Sequence, residues 1–236
     1  MILVTGGMSG IGAALTARLR ARGEAVLVLD RHGGADIVCD LADPAAIDAA
    51  AARVPVLTGI AHVAGVPGAL PGDVVLAVNL HAPVQLTRRL ADRIGAGGAI
   101  VAVSSITAHR CTWDDARLRA LIDGGSEPLD GVTAYEVSKR ALNLWVQLTA
   151  AALHPFVRVN GVSPGPVETP ILAAFEASMG KARLDAAARL TGRHGTAGDI
   201  AAVIDWLLTG DSGWVNGVDL KVDGGFHALR AAAGMQ

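Results

Sequence analysis

From Ile2 onward, short apolar runs alternate with longer stretches of helical periodicity. Ile2-Leu3-Val4-Thr5 and Ala25-Val26-Leu27-Val28-Leu29 are rich in β-branched and aliphatic residues and are bounded by glycine or charge, a strand signature. The same pattern predicts strands over 2–5, 25–29, 36–39, 57–63, 99–103, 157–161 and 218–222. It predicts helices over 10–22, 44–52, 72–78, 82–95, 133–153 and 197–208. Alternating strands and helices imply a mostly parallel sheet covered on both faces, joined by right-handed crossovers. One polar, irregular segment, 107–131, interrupts the pattern, and Asp114 to Ile122 within it suits a single short helix. A segment that long inside a compact domain is often functional.

Composition narrows the reading. A chain of 236 residues suits one α/β domain. With 51% apolar residues but only 3% aromatic, the core must be filled by Ala, Val, Leu and Ile. A net charge of −2 leaves no electrostatic footprint for nucleic acid. Cys39 and Cys111 lack metal-ligand spacing, the seven histidines are scattered, and no metal site is expected. A reducing, cytoplasmic setting follows. Residues 54–72 carry no formal charge but are broken by Pro55, Gly59, Gly65, Pro67, Gly68 and Pro71. Residues 141–157 contain Asn143, Gln147 and Thr149, so neither stretch reads as a membrane span. The apolar N-terminus reads as a strand, without the charged leader of a secretory signal.

Two motifs carry chemistry. The first strand enters Thr5-Gly6-Gly7-Met8-Ser9-Gly10-Ile11-Gly12, and a helix leaves it. Glycines let the main chain turn tightly and approach a pyrophosphate, while the helix N-terminus aims its N–H groups at the phosphates. Asp30 closes the next strand, about 20 residues further on, where an acid meets the adenosine ribose hydroxyls. The second motif is Tyr135-Glu136-Val137-Ser138-Lys139, which places Tyr135 and Lys139 on one helix face. A phenol with a pKa of about 10 is a poor base at neutral pH, and a nearby ammonium lowers that value. Removing an alcohol proton as hydride departs needs such a base. Ser104-Ser105, at the end of the strand Ala99 to Val103, place a hydroxyl in the crevice outside the strand ends. Asn79 lies inside a helical stretch, where its amide is expected to hold a water that links Lys139 to solvent. After the strand Val157 to Gly161, the run Ser163-Pro164-Gly165-Pro166-Val167-Glu168-Thr169-Pro170 fixes a rigid path. There, Val167 and Thr169 are placed to read a carboxamide.

Together these residues resemble the short-chain dehydrogenase/reductase family. The resemblance runs from residue 1 to about 228 and rests on Thr5-Gly6-x-x-x-Gly10-x-Gly12, Asp30, Asp40-Leu41, Ala64-Gly65, Asn79, Ser105, Tyr135-x-x-x-Lys139, Pro164-Gly165 and Asp223-Gly224-Gly225. It implies a single-domain, Rossmann-type, doubly wound seven-stranded parallel sheet with helices on both faces. It also implies a catalytic tetrad of Asn79, Ser105, Tyr135 and Lys139. The cofactor site it implies takes in Thr5, Gly6, Ser9, Gly10, Ile11, Gly12, Asp30, Arg31, Asp40, Leu41, Ala64, Gly65, Pro164, Gly165, Val167 and Thr169. Asp40 and Leu41 would flank the adenine, Lys139 would bind the nicotinamide ribose, and Tyr135 would meet the same ring system. Two departures stand out. The family usually has Asn-Asn-Ala-Gly where this chain has His62-Val63-Ala64-Gly65, so bracing of the sheet must come from elsewhere. Ser105 and Tyr135 are also unusually far apart in sequence, and the excess falls in 107–131. That insertion is most similar to the 3α-hydroxysteroid dehydrogenase/carbonyl reductase subgroup.

Charge decides the expected cofactor. A carboxylate at Asp30 accepts from both ribose hydroxyls and repels a 2′-phosphate, and Ser9 supplies no positive charge, so NAD(H) is expected. Arg31 is the one feature that softens this preference. The apolar stretch within about 170–190 is expected to act as a substrate lid, with Trp113 lining the same mouth or anchoring a satellite core. With no Arg or Lys in 170–180, a hydrophobic secondary alcohol or its ketone fits best, whether alicyclic, steroid-like or terpenoid. The alternatives are an NADPH-dependent ketoreductase acting on acyl-carrier-bound chains, a non-catalytic dinucleotide sensor and a nucleotide-sugar epimerase. A homodimer or homotetramer is expected, with the dimer favoured because the insertion precedes the 133–153 helix and obstructs packing across it.

Overall fold

The computed structural model describes residues 1–170, 172 and 181–234. Seven parallel strands form the main sheet: β1 (Ile2–Thr5), β2 (Val26–Asp30), β3 (Ile37–Val38), β4 (Leu57–His62), β5 (Ile94–Val103), β6 (Val157–Pro164) and β9 (Asp219–Val222). Their order is β3-β2-β1-β4-β5-β6-β9. The chain therefore winds outward from β1 to β3, then restarts at β4 on the other side of β1. Ligands bind outside the carboxyl ends of the strands at such a reversal. Two short strands, β7 (Val167–Glu168) and β8 (Gly195–Thr196), pair separately.

Alternation along the strands builds two cores. Ile2 and Val4 face one side, where Leu15 and Leu19 of α1 (Gly10–Ala21) meet Ile200, Ile204 and Leu207 of α8 (Ala197–Leu208). Leu3, Ile60, Ile100 and Val159 face the other. There they pack against α2 (Pro44–Arg53), α3 (Gly72–Leu76), α4 (Ala82–Leu90) and α6 (Gly131–Leu153). Helix starts follow local chemistry: Asp43 caps α2 ahead of Pro44, and Thr196 and Asp199 form a reciprocal capping box on α8.

Several boundaries differ from the sequence pattern. The helix expected to run to residue 95 stops at Leu90, and β5 already starts at Ile94. Its lead, Gly95-Ala96-Gly97-Gly98, carries no β-branched signal, and the register shifts between Leu57 and Gly59 to admit it. α3 and α4 are joined by a π-turn, Ala77–His81, which contains Asn79. Segment 107–131 is ordered. A 3₁₀ turn (Ile106–Arg110) leads to α5 (Asp115–Ile122), capped by Asp114. Leu118, Leu121 and Ile122 of α5 bury themselves beside α6. Arg140 reaches Asp115 at 3.4 Å and Arg88 reaches Asp123 at 3.4 Å, so the insertion lies over both α6 and α4. α7 (Lys181–Thr191) falls inside the expected lid, while residues 171 and 173–180 of that lid lie outside the described residues. Helix α9 (Phe226–Ala232), with Asp223 accepting from Gly225 and His227 N–H, had no clear periodicity over its seven residues.

Candidate active site

The cleft is built from strand ends in register. Thr5 pairs with Leu29 and with His62, and His62 pairs with Ala102, so β1, β2, β4 and β5 end on one edge.

At β1 the backbone dominates. Gly6 has φ +69°, and a Cβ there would stand 2.7 Å from Ala64 Cα. A Cβ on Gly12 would stand 2.0 Å from the Gly6 carbonyl oxygen. Only glycine lets α1 close onto the turn in this way. Ser9, at the N-cap of α1, makes no side-chain cap, and the first turn carries no acid. Its N–H groups and the positive end of the helix dipole are therefore available to an anion. Thr169 Cβ lies 3.4 Å from where a Gly10 Cβ would be, which brings the far loop over the turn. Ile11 packs into the α1–α8 core.

Asp30 is buried and accepts from Met8 N–H at 3.1 Å through Oδ2. Its Oδ1 meets His32 N–H at 3.2 Å and His32 Nδ1 at 2.7 Å. Burial raises its pKa, but the His32 contacts and the Met8 N–H together hold it below the usual carboxylate value. An ionised acceptor at this position fits a ribose diol. Arg31 is exposed beside it. Asp40 accepts from Ala42 N–H at 2.9 Å in a local turn, which leaves Leu41 buried.

The missing family amides are replaced. Thr5 Oγ1 accepts from both Val63 and Ala64 N–H at 3.1 Å and ties β1 to the end of β4. His62 is buried, its Nε2 lies 2.9 Å from Thr87 Oγ1, and burial holds its pKa down to about 3. It is a neutral brace within the core. Pro164 ends β6, and Gly165 presses against Asp223, where a Cβ would come within 3.0 Å. Val167 is buried in β7, and Thr169 Oγ1 lies 3.4 Å from the Val167 carbonyl.

At β5 and α6 the side chains dominate. The two serines divide their roles: Ser104 Oγ donates to the Lys139 carbonyl at 3.0 Å, while Ser105 hydrogen-bonds Tyr135. Lys139 is 3% exposed, donates to the Val103 carbonyl at 2.9 Å and lies 5.7 Å from the Tyr135 ring centre. A Cβ on Gly65 would sit 3.3 Å from Asn79 Oδ1 and 3.5 Å from Lys139 Nζ, so the glycine leaves open the space between them. Asn79 braces the adjoining loop. Its Oδ1 accepts from Val66 N–H at 2.8 Å and its Nδ2 donates to the Val66 carbonyl at 3.0 Å. The amide holds the β4–α3 loop with one of its two N–H donors and one of its two acceptor lone pairs.

The electrostatics differ from the expected direction. Burial pushes the Tyr135 phenol up to about 12, and the Ser105 hydrogen bond only partly opposes this. Burial pulls the Lys139 ammonium down to about 8. Desolvation is the largest cause of both shifts. Trp113 stacks under Arg117, whose guanidinium carbon lies 3.3 Å from the ring centre, and packs on the core rim. Arg117 in turn pairs with Glu127, which staples the insertion together. Sequence reasoning missed Thr107, which hydrogen-bonds Ser105, and His32, which holds Asp30. A hydroxyl two residues after a strand-end serine was the available signal for Thr107.

Comparison with known proteins agrees with this architecture. A family model described as NAD dependent epimerase/dehydratase matches residues 2–169, and one described as enoyl-(acyl carrier protein) reductase matches residues 119–227. A coniferyl-alcohol dehydrogenase of a Pseudomonas species is 36% identical, covering 95% of each chain. A short-chain dehydrogenase reductase of Arabidopsis thaliana is 30% identical over 95% of this chain and 91% of its own. This chain belongs to the short-chain dehydrogenase/reductase family. Among solved members, a 3-alpha-hydroxysteroid dehydrogenase from a Pseudomonas strain, complexed with NADH, superposes with a TM-score of 0.89. It is 33% identical and covers 98% of both chains. Both the coniferyl-alcohol dehydrogenase and the hydroxysteroid dehydrogenase are named as dehydrogenases of alcohols, and the latter holds NADH. Among the described residues, no helix is long and apolar enough to cross a membrane.

Proposed function

We propose that this chain is an NAD(H)-dependent oxidoreductase that interconverts a hydrophobic secondary alcohol and its ketone. The observation that carries the reading is the convergence of Ser105, Tyr135 and Lys139 at the end of β5, two strands from the glycine turn. The substrate oxygen sits between Ser105 and Tyr135. Ser105 donates to that oxygen, and Tyr135 exchanges its proton. Lys139 holds positive charge beside the phenol and the nicotinamide ribose, while Asn79 fixes the loop next to it. When bound, the nicotinamide accepts or supplies the hydride. The turn of Thr5, Gly6, Ser9, Gly10, Ile11 and Gly12 holds the pyrophosphate. Asp30 accepts the ribose hydroxyls, with Arg31 outside it, and Asp40 and Leu41 border the adenine. Ala64 and Gly65 approach the ribose, and Pro164, Gly165, Val167 and Thr169 border the carboxamide.

The ionised Asp30 favours NAD over NADP by charge, and the hydroxysteroid dehydrogenase in complex with NADH supports that choice. The similarity to a coniferyl-alcohol dehydrogenase favours a second reading, an aryl allylic primary alcohol. Two free cysteines, one buried and one half-buried, suit a reducing cytoplasm. With α5 lying over α4 and α6, a homodimer is the favoured assembly, which light scattering at micromolar concentration checks.

The test is a panel of alicyclic, steroid and cinnamyl-type alcohols with NAD or NADP, followed by absorbance of the reduced nicotinamide. Turnover of alicyclic or steroid alcohols with NAD is expected, and Asp30→Ala narrows the advantage over NADP. Activity confined to primary alcohols would replace the substrate assignment, and a preference for NADP would overturn the cofactor assignment.

A further inference from the structure

Ser105 has an unusual hydrogen-bond balance. A serine hydroxyl offers one proton and two acceptor lone pairs. Thr107 occupies both acceptor positions, its backbone N–H at 3.2 Å and its Oγ1 at 3.0 Å from Ser105 Oγ. The backbone contact is the N-cap of the 3₁₀ turn Ile106–Arg110 and needs only a backbone. The hydroxyl contact is additional. With both lone pairs engaged, the Ser105 proton has one direction left, toward the Tyr135 hydroxyl, its remaining partner.

We propose that Thr107 is a positioning residue whose hydroxyl makes Ser105 a donor only, so that Tyr135 alone can receive the alcohol proton. This rests on the tyrosine-based reading above. An alcohol oxygen bound between the two groups accepts from Ser105 and must then give its proton to the phenolate oxygen. The O–H bond breaks, the phenol O–H bond forms, and the electron pair left on the substrate oxygen forms the carbonyl as hydride leaves its carbon for the oxidised nicotinamide. Without the Thr107 hydroxyl, Ser105 can rotate and accept the alcohol proton in a hydrogen bond that leads nowhere. Before the alcohol binds, its donation to the Tyr135 oxygen, which opposes the rise in that pKa, is lost for part of the time.

The experiment is steady-state oxidation of a turned-over alcohol by Thr107→Val and Thr107→Ser across pH. Valine keeps the backbone cap and removes the hydroxyl. We expect kcat to fall by about tenfold with KM changed by less than about threefold, the loss of one hydrogen bond felt in the transition state. The acid limb of kcat/KM should move upward by about one pH unit as the phenolate loses a donor. Thr107→Ser should restore both. Should Thr107→Val fail to fold, Thr107→Ala carries the same expectation. Wild-type kcat and an unmoved limb in Thr107→Val, a change in KM alone, or a Thr107→Ser variant as impaired as Thr107→Val would each overturn the proposal. A Tyr135→Phe control separates the two levels: if that variant stays active, the underlying reading fails, whatever Thr107 does.

Discussion

The glycine turn after β1 and the tyrosine–lysine pair at the end of β5 lie on the same sheet edge with β4 between them, yet they are made of different materials. At the turn, side chains are absent by necessity: Gly6 and Gly12 have backbone atoms where a Cβ would go. What the turn offers a ligand is main-chain N–H groups and the end of a helix dipole. At α6 the offer is two ionisable side chains, and Lys139 is placed deep enough for hydration to be lost. A site built on backbone is insensitive to pH and intolerant of bulk. A site built on buried ionisable groups tolerates similar shapes but depends on which protons are present.

Removing the phenol oxygen breaks the contrast most strongly. Tyr135→Phe should lower turnover by about 10²- to 10⁴-fold, the range for losing a positioned proton-transfer group, and leave cofactor affinity within about threefold. Stopped-flow turnover and fluorescence titration with NADH check the two halves. Loss of NADH binding together with turnover would mean that the two regions are one unit. Since Tyr135 is the only tyrosine in the chain, its ionisation can also be followed directly by ultraviolet absorbance.

The complementary break is Gly6→Ala. The added methyl meets backbone, not a flexible side-chain end, at a residue with φ +69°. A cost of roughly 2 kcal/mol or more is expected from strain and crowding, read as a lower Tm, together with lost dinucleotide binding. An alanine variant with unchanged Tm and NADH affinity would refute the close packing of the turn on Ala64.

The same contrast explains what was legible in the sequence. The glycine turn and Asp30 could be read because backbone geometry restricts residue type around them: few residues fit at φ > 0 or against another main chain. Tyr135 and Lys139 were legible as a pair through helical spacing. Their ionisation was not, because spacing reports proximity and says nothing of burial, and burial sets the direction of both shifts. The Val66 contacts of Asn79 were hidden for a related reason. Its position in the chain was right, but the π-turn that aims its amide at Val66 has no residue signature of its own. The β5 lead at Gly95 to Gly98 was hidden because glycine carries no strand signal, and α9 because seven residues are too few to show a period.

Lys139 gives the smallest and most discriminating prediction. Folding buries an ammonium that loses its proton at about 8, against the ordinary value of 10.5 in the unfolded chain. Between those two values the unfolded chain binds more protons than the folded one, so the free energy of unfolding must rise with pH across that window. Tyr135 acts in the opposite sense, because its folded value of about 12 lies above the ordinary 10.0, but its effect starts only above pH 10. Cys39, whose thiol is pushed by burial from 9.0 up to about 11, acts in the same sense as Tyr135 but is common to wild type and a lysine variant, so their difference between pH 7.5 and 10 isolates the lysine. Urea denaturation should show wild type gaining on the order of 2 kcal/mol over that interval relative to Lys139→Met, which has no proton to lose at that position. Parallel pH dependence in the two proteins would mean that the ammonium keeps its hydration, and the distinction between a backbone-built and a charge-built half of the cleft would fall with it.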